Sequence, residues 1–158
     1  MQEASTKEEN IMDNPKGREY MKSVGVGLIR IHFGIILLAH GWLKVSVFTV
    51  DGTVNYFSSI GLPAVVAYLV IFGELAGGLA LILGIQTRLA SLFSVPIVLG
   101  AAIMNSGNGW LHSANGGGWE YAASLTVIAI ALTLMGSGGF LSLNINPLNR
   151  ILPSFMND

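Results

Sequence analysis

Four long apolar runs dominate this chain, and two of them contain charged side chains. The runs cover residues 23–47, 63–85, 89–105 and 119–135. A helix needs about 20 apolar residues, within a range of roughly 17–25, to cross the hydrocarbon core of a bilayer. Each run reaches that range, so the sequence predicts an all-α fold, namely an integral membrane four-helix bundle.

The composition excludes several other classes of protein. Charged residues make up 11% of the 158 residues, whereas about a quarter of a soluble domain is charged. The net charge of -1 gives no reason to expect a nucleic-acid partner. The sequence contains no cysteine, which excludes disulfides, thiolate metal sites, iron–sulfur clusters and cysteine nucleophiles. We therefore predict no metal site, no catalytic residue and no intrinsic cofactor.

The basic residues near the ends of the runs predict the orientation in the membrane. They occur before the first run, between the second and third, and after the fourth: Lys16, Arg18, Lys22, Arg88 and Arg150. The other two connections, residues 48–62 and 106–118, contain neither Lys nor Arg. Short loops rich in Lys and Arg stay in the cytoplasm. We expect a multi-pass protein of the bacterial cytoplasmic (inner) membrane with both termini in the cytoplasm and lipid around it.

The chain divides by composition into three parts. Residues 1–22 are polar and are predicted to form a flexible N-terminal tail. Residues 23–146 form the four-helix membrane domain, and residues 147–158 form a short C-terminal tail.

The first outer connection allows two interpretations. Asp51-Gly52 is typical of a hairpin turn, while Thr53 can cap a short interfacial helix that ends at Gly61. The helix is favoured because an isolated two-stranded hairpin is only marginally stable.

The charges inside the runs share helix faces with small residues. At about 100° per residue, one face of the first run carries Arg30, Gly34, Gly41 and Lys44, with His40 at its edge. In the second run, Glu74 lies on a face with glycine and small apolar residues. Glycine allows helix backbones to approach closely, so these faces are expected to meet inside the bundle.

The depths of the charges suggest partners. With 1.5 Å of rise per residue, Glu74 is expected at a level between Arg30 and His40 and to pair with one of them. Lys44 is expected near the outer surface, level with Glu120 and paired with it, and Tyr121 at the outer mouth. Two readings remain open: structural ion pairs that fix helix register, or a ligand or proton site. Arg88 is expected to reach the inner interface.

Seven short motifs along the chain occur in a recognisable order and spacing. They are Arg30-Ile-His-Phe-Gly34, Ala39-His-Gly-Trp-Leu-Lys44, Gly61-Leu-Pro63, Glu74-Leu-Ala-Gly-Gly78, Leu83-Gly-Ile-Gln-Thr-Arg88, Gly118-Trp-Glu-Tyr121 and Gly138-Gly-Phe-Leu-Ser-Leu-Asn144. With them, about residues 24–146 resemble the DoxX family of small bacterial membrane proteins. The family's recurrent polar positions fall on Arg30, Lys44, Glu74, Arg88 and Glu120.

The resemblance implies a four-helix membrane protein with a redox-linked role. The family is named for a likeness to the membrane subunit of thiosulfate:quinone oxidoreductase, and some members associate with redox complexes. The implied partners are other membrane or redox subunits, with a quinone as ligand and His40, Lys44 or Arg30 as donors. A homo-oligomer is also compatible with the sequence. The alternatives are a purely structural accessory subunit and, less favoured, a small-molecule transporter, because no inverted repeat is detectable.

Overall fold

The computed structural model describes residues 14–143, 148 and 151–157, and every regular element among them is helical. The predicted all-α class is therefore confirmed. Three of the helices are long and apolar enough to cross a membrane, and α5 is apolar but shorter, with 16 residues. The helices are α1 (Pro15–Ser46), α2 (Val50–Ser59), α3 (Ala64–Leu83), α4 (Thr87–Met104) and α5 (Glu120–Met135), with 3-10 turns at Ser106–Asn108 and Ser154–Met156.

Helix α1 begins earlier than the apolar run that predicts it. The side chain of Asn14 accepts a hydrogen bond from the backbone N–H of Lys16, and Pro15 occupies the first turn. Asparagine is favoured as a helix cap because its side chain accepts a hydrogen bond from a free backbone N–H. Proline is favoured in the first turn because it lacks an N–H that would otherwise be unsatisfied. Residues 15–22, which composition assigned to the tail, thus form the first turns of α1. Residues 1–13 of the predicted tail lie outside the described residues.

The connection at residues 48–62 contains the short helix, and the hairpin is excluded there. Helix α2 runs over Val50–Ser59. Its cap is Thr49, whose hydroxyl accepts a hydrogen bond from the N–H of Gly52, so the predicted cap at Thr53 was wrong. Thr53 is instead buried, and its hydroxyl donates to the carbonyls of Thr49 and Lys44. The second of these bonds ties α2 to the end of α1.

Helices α1 and α3 pack together through glycine. A Cβ atom added to Gly34 would lie 2.8 Å from the carbonyl oxygen of Gly78, and one added to Gly78 would lie 2.7 Å from the backbone nitrogen of Leu38. Neither helix has room for a side chain at these points. The predicted contact between the two glycine-bearing faces is confirmed.

The other helices complete one apolar core. Helix α4 packs mainly against α5, and the contact between α3 and α4 is less extensive. The fully packed centre consists of side chains from α1, α3, α4 and α5: Phe33, Leu37, Leu81, Val98, Leu125, Ala129 and Leu132. This packing holds the polar groups of α1 and α3 at fixed heights relative to α4 and α5.

The α1–α3 contact yields a test of the packing. Gly78→Ala should destabilise the protein by about 1–3 kcal/mol, because the new methyl group overpacks against the backbone at Leu38. The matched control is Gly100→Ala in α4, where nothing lies within 4 Å of the added Cβ. Thermal unfolding in mild detergent measures both variants. Equal stability of the two variants would contradict the close approach.

Candidate functional site

The central polar contact is an ion pair between α1 and α3. Lys44 Nζ lies 2.8 Å from Glu74 Oε1. The Glu74 side chain is 7% exposed and the Lys44 side chain 19% exposed, so most of the pair is enclosed by protein. Glu74 is the eleventh of the 20 residues of α3, about 15 Å from the start of that helix at 1.5 Å per residue. The pair therefore lies near the middle of α3.

This contact corrects the predicted partners of Glu74. Lys44 is its partner, and neither His40 nor Arg30 pairs with it. Helical side chains lean toward the N-terminus of their own helix, and α1 and α3 run in opposite directions. Lys44 therefore leans toward the start of α1 and Glu74 toward the start of α3, so the two side chains lean toward each other. The depths predicted from the sequence did not include this tilt for Lys44.

Arg30 is buried at the opposite end of the α1–α3 contact. Its guanidinium donates to the carbonyls of Leu81 and Ile82 at the end of α3, and to those of Phe140 and Leu141 after α5. Carbonyls at a helix C-terminus carry partial negative charge, so they stabilise the cation without a carboxylate. Arg30 thus joins three segments of the chain.

The turn after α3 adapts to this arginine. Gly84 has a φ of 69°, and a Cβ there would lie 2.6 Å from Arg30 Nη1. Glycine is required twice over, because L side chains disfavour this φ and because the guanidinium occupies the space.

Arg88 has a similar role at the end of α5. It donates to the carbonyls of Thr133 and Leu134, and its Nε donates to the carbonyl of Asn157 near the C-terminus. The sequence argument had placed Arg88 at the inner interface but had not predicted its contact with α5. The predicted basic residue of the C-terminal tail, Arg150, lies outside the described residues.

Glu120 does not pair with Lys44, which corrects the second predicted contact. Its carboxylate accepts a hydrogen bond of 2.8 Å from the backbone N–H of His112. The loop before α5 is closed by further bonds from the N–H of Trp119 and of Glu120 to carbonyls at Gly109 and Trp110. Glu120 therefore shapes the loop, while Lys44 is already engaged by Glu74.

The ion pair lines a cavity of about 260 Å³ between α1, α3, α4, α5 and the loop before α5. His40, Lys44, Glu74 and Tyr121 were predicted from the sequence and are brought together here. Leu37, Val98 and Leu125 provide apolar walls. Sequence reasoning missed two polar lining residues, Asn105 and His112, because each lies alone in a stretch rich in Gly, Asn and Ser.

The imidazole of His40 has defined hydrogen-bonding roles. Its Nδ1 lies 2.8 Å from the carbonyl oxygen of Ile36, one turn back in α1. A carbonyl oxygen can only accept, so the proton of this bond belongs to Nδ1. In the neutral ring, Nε2 is then an acceptor. The ring lies 6.5 Å from that of Tyr121 between centroids, so α1 and α5 both contribute polar groups to the cavity.

A second hollow lies on the outside of the helices, between α3 and α4. It has a volume of about 620 Å³ and is lined almost entirely by apolar and small side chains. Gly73 and Gly77 form part of its floor on α3, and Phe93 and Pro96 form part of its wall on α4. Ile97 lines both this groove and the polar cavity, and it packs against Gly73, where an added Cβ would lie 2.7 Å from Ile97 Cδ1.

Comparison with known proteins gives a family match and two clear relatives. The DoxX family model matches residues 25–107. The chain is 34% identical to "Putative oxidoreductase CatD" of Bacillus subtilis (strain 168) over 114 residues, which cover 72% of this chain and 81% of that protein. It is 32% identical to "Inner membrane protein YqjF" of Escherichia coli (strain K12) over 125 residues, covering 79% and 85% respectively. No solved structure matches the chain.

The Lys44–Glu74 pair can be tested by a double-mutant cycle. Lys44→Met and Glu74→Leu should each cost roughly 3–5 kcal/mol, because each leaves one enclosed charge without its partner. The double variant should recover most of this loss, since both charges are gone. Unfolding in mild detergent is the measurement.

A matched cycle provides the control. Arg30→Lys combined with Glu74→Leu should give additive losses, because Arg30 binds backbone carbonyls and shares no partner with Glu74. Additive losses in the Lys44–Glu74 cycle as well would contradict the ion pair.

Proposed function

Because the chain belongs to the DoxX family, we propose that it is the membrane subunit of a quinone-linked oxidoreductase. The cavity around Lys44 and Glu74 takes the head group of the quinone. The observation that carries this proposal is the cavity itself, in which polar side chains and apolar walls enclose one small space. The name of the B. subtilis relative, "Putative oxidoreductase CatD", points in the same direction.

The dimensions and chemistry of the cavity suit a single substituted ring. Its volume of about 260 Å³ is slightly below the roughly 300–1,000 Å³ of drug-sized ligand sites. A single ring head group is small enough for this cavity, whereas a dinucleotide cofactor is too large for it. Leu37, Val98 and Leu125 can contact the ring faces, while Lys44, His40 and Tyr121 can reach ring oxygens.

The apolar groove between α3 and α4 suits the tail of such a molecule. A quinone dissolved in the bilayer carries a prenyl chain. Moving this chain from lipid into an apolar groove costs little free energy, because no apolar surface is exposed to water. Ile97 forms a wall common to the groove and the cavity. In this arrangement the tail lies along Gly73 and Gly77, and the Ile97 side chain, which packs against Gly73, has to move aside for the head to reach Glu74.

Electrons have to come from a partner subunit. The sequence has no cysteine to hold an iron–sulfur cluster and no motif for binding a flavin or nicotinamide nucleotide. The partner carries the redox cofactor, and this chain supplies the membrane anchor and the ring site. His40 and Glu74 handle the protons that accompany quinone chemistry.

The orientation follows from the basic residues and from the packing of the chain ends. All four apolar helices cross the bilayer, with both termini in the cytoplasm of a bacterial inner membrane. The first half of α1 lies beside the segment after α5, since Gly138 packs against Val26 and Arg30 binds the carbonyl of Phe140. An even number of crossings is consistent with that proximity.

A second candidate function is a purely structural accessory subunit. The observation in its favour is that Arg30 and Arg88 are held by backbone carbonyls, where they join helices, and neither lines the cavity around Glu74. In that case Lys44 and Glu74 serve only to fix the register of α1 and α3.

The orientation can be tested by labelling single cysteines, because the chain has none of its own. In intact cells, an impermeant maleimide should label Asn55→Cys and Ser113→Cys in the two outer connections. Ser154→Cys in the C-terminal tail should react only after permeabilisation. Labelling of the tail but not of the connections would overturn the proposed orientation.

Quinone binding tests the function itself. The full chain in lipid nanodiscs should bind a benzoquinone with one prenyl unit, and bind the tail-less ring more weakly, measured by titration calorimetry against protein-free nanodiscs. Ala101→Phe should abolish binding, because Ala101 lines the cavity. Gly100→Phe is the matched control, since nothing lies within 4 Å of a Cβ added at Gly100 and this residue does not line the cavity.

The outcomes separate the two candidate functions. Retained binding in Gly100→Phe with lost binding in Ala101→Phe supports the ring site. Absence of binding by the unaltered chain would favour the structural subunit.

A further inference from the structure

We infer that the cavity recognises the reduced, hydroxylated form of its ring ligand, a quinol, in preference to the quinone. This inference rests on the proposed function and adds to it the redox state of the bound ligand. It is drawn from the hydrogen-bonding capacity that the cavity leaves unused.

The carboxylate of Glu74 has unused acceptor capacity. An ionised carboxylate has about four acceptor positions, and the charge-assisted bond from Lys44 occupies one of them. Oε2 is covered by protein and receives no hydrogen bond from any described residue. A buried acceptor without a donor is costly. Glu74 therefore favours a ligand that can donate a hydrogen bond.

His40 adds a second acceptor. Because its Nδ1 proton is committed to the carbonyl of Ile36, the neutral ring presents Nε2 as an acceptor only. His40 lines the same cavity as Glu74. Two acceptors from neighbouring helices thus border one ring-sized space.

Because Lys44 can donate a hydrogen bond to the ligand, it favours a ligand hydroxyl group over other hydrogen-bond donors. Its ammonium has three N–H groups, one of which binds Glu74, so it can also donate to a ligand oxygen. A quinol hydroxyl can donate to Glu74 and accept from Lys44 at once. A quinone carbonyl can accept from Lys44 but leaves Glu74 and His40 without donors. A ligand ammonium could donate but would place a second cation beside Lys44.

The experiment compares the two redox forms of one molecule on the full chain in nanodiscs. The probes are the benzoquinone with one prenyl unit and the same compound reduced to the quinol, titrated under anaerobic conditions. We expect the quinol to bind about tenfold more tightly, because only it satisfies the free acceptors. A tenfold preference raises the midpoint potential of the bound two-electron couple by about 30 mV, which a redox titration measures independently.

Two variants probe the acceptors. In Glu74→Gln, Lys44 should hold the amide oxygen, so the NH₂ group replaces an acceptor with a donor, and the preference should shift toward the quinone. His40 is exposed, so the His40→Ala variant should fold normally. It should bind the quinol more weakly than the unaltered chain does, with a smaller effect on the quinone. Gly100→Phe again serves as the control that changes neither affinity.

Each outcome has a distinct meaning. Quinone binding as tight as or tighter than quinol binding would overturn this inference and leave the proposed function standing. Binding of neither form would overturn the proposed function and the inference with it. Tighter binding of an aromatic ammonium of similar size would also overturn the inference, because it would show that charge selects the ligand.

Discussion

The glycine-lined contact between α1 and α3 sets the positions of the buried charges. Gly34 and Gly78 let the two backbones touch, and no side chain separates them. Gly41 lies beside Glu74, so the helices cannot slide past each other without forcing backbone into side chains. At this register Arg30 meets the end of α3, and Lys44 meets Glu74 near its middle. A shift of one turn would separate both cations from their partners.

Arg30, Arg88 and Lys44 are satisfied in two physically different ways. Arg30 and Arg88 donate to backbone carbonyls at helix ends, which suits a planar guanidinium with five donors. Lys44 is a compact point charge and binds a carboxylate. Carbonyl-bound arginines fasten helices and offer little to a ligand. The carboxylate of Glu74 retains acceptor capacity, so it can accept a hydrogen bond from a ligand in the cavity.

The polar cavity exists because α5 stands apart from α1. These two helices share fewer contacts than α1 shares with α3 or α4 with α5. The loop before α5, closed by Glu120 and His112, forms one boundary of the resulting space. Apolar side chains fill the rest of the core. A polar pocket at one end of an otherwise packed set of helices is suited to a ring ligand that enters from the bilayer, in line with the function proposed above.

Much of the architecture was determined by sequence alone. Length and continuity of the apolar runs predicted the helices, because a chain in lipid must satisfy its backbone hydrogen bonds within each segment. The spacing of glycine and charge predicted which faces of α1 and α3 meet. The residues around the cavity, His40, Lys44, Glu74 and Tyr121, were also identified from the sequence, since ionisable groups are rare in apolar runs.

The pairing of those residues was decided only by the tertiary structure. Depth counted along each helix placed Glu74 at a level between Arg30 and His40, whereas in the packed helices Gly41 lies beside Glu74 and Lys44 reaches its carboxylate. The carbonyls that bind Arg30 and Arg88 could not be predicted from the sequence, because every residue carries a backbone carbonyl. Relative height and side-chain tilt are properties of two packed helices together, so no single run of residues can encode which charge meets which partner.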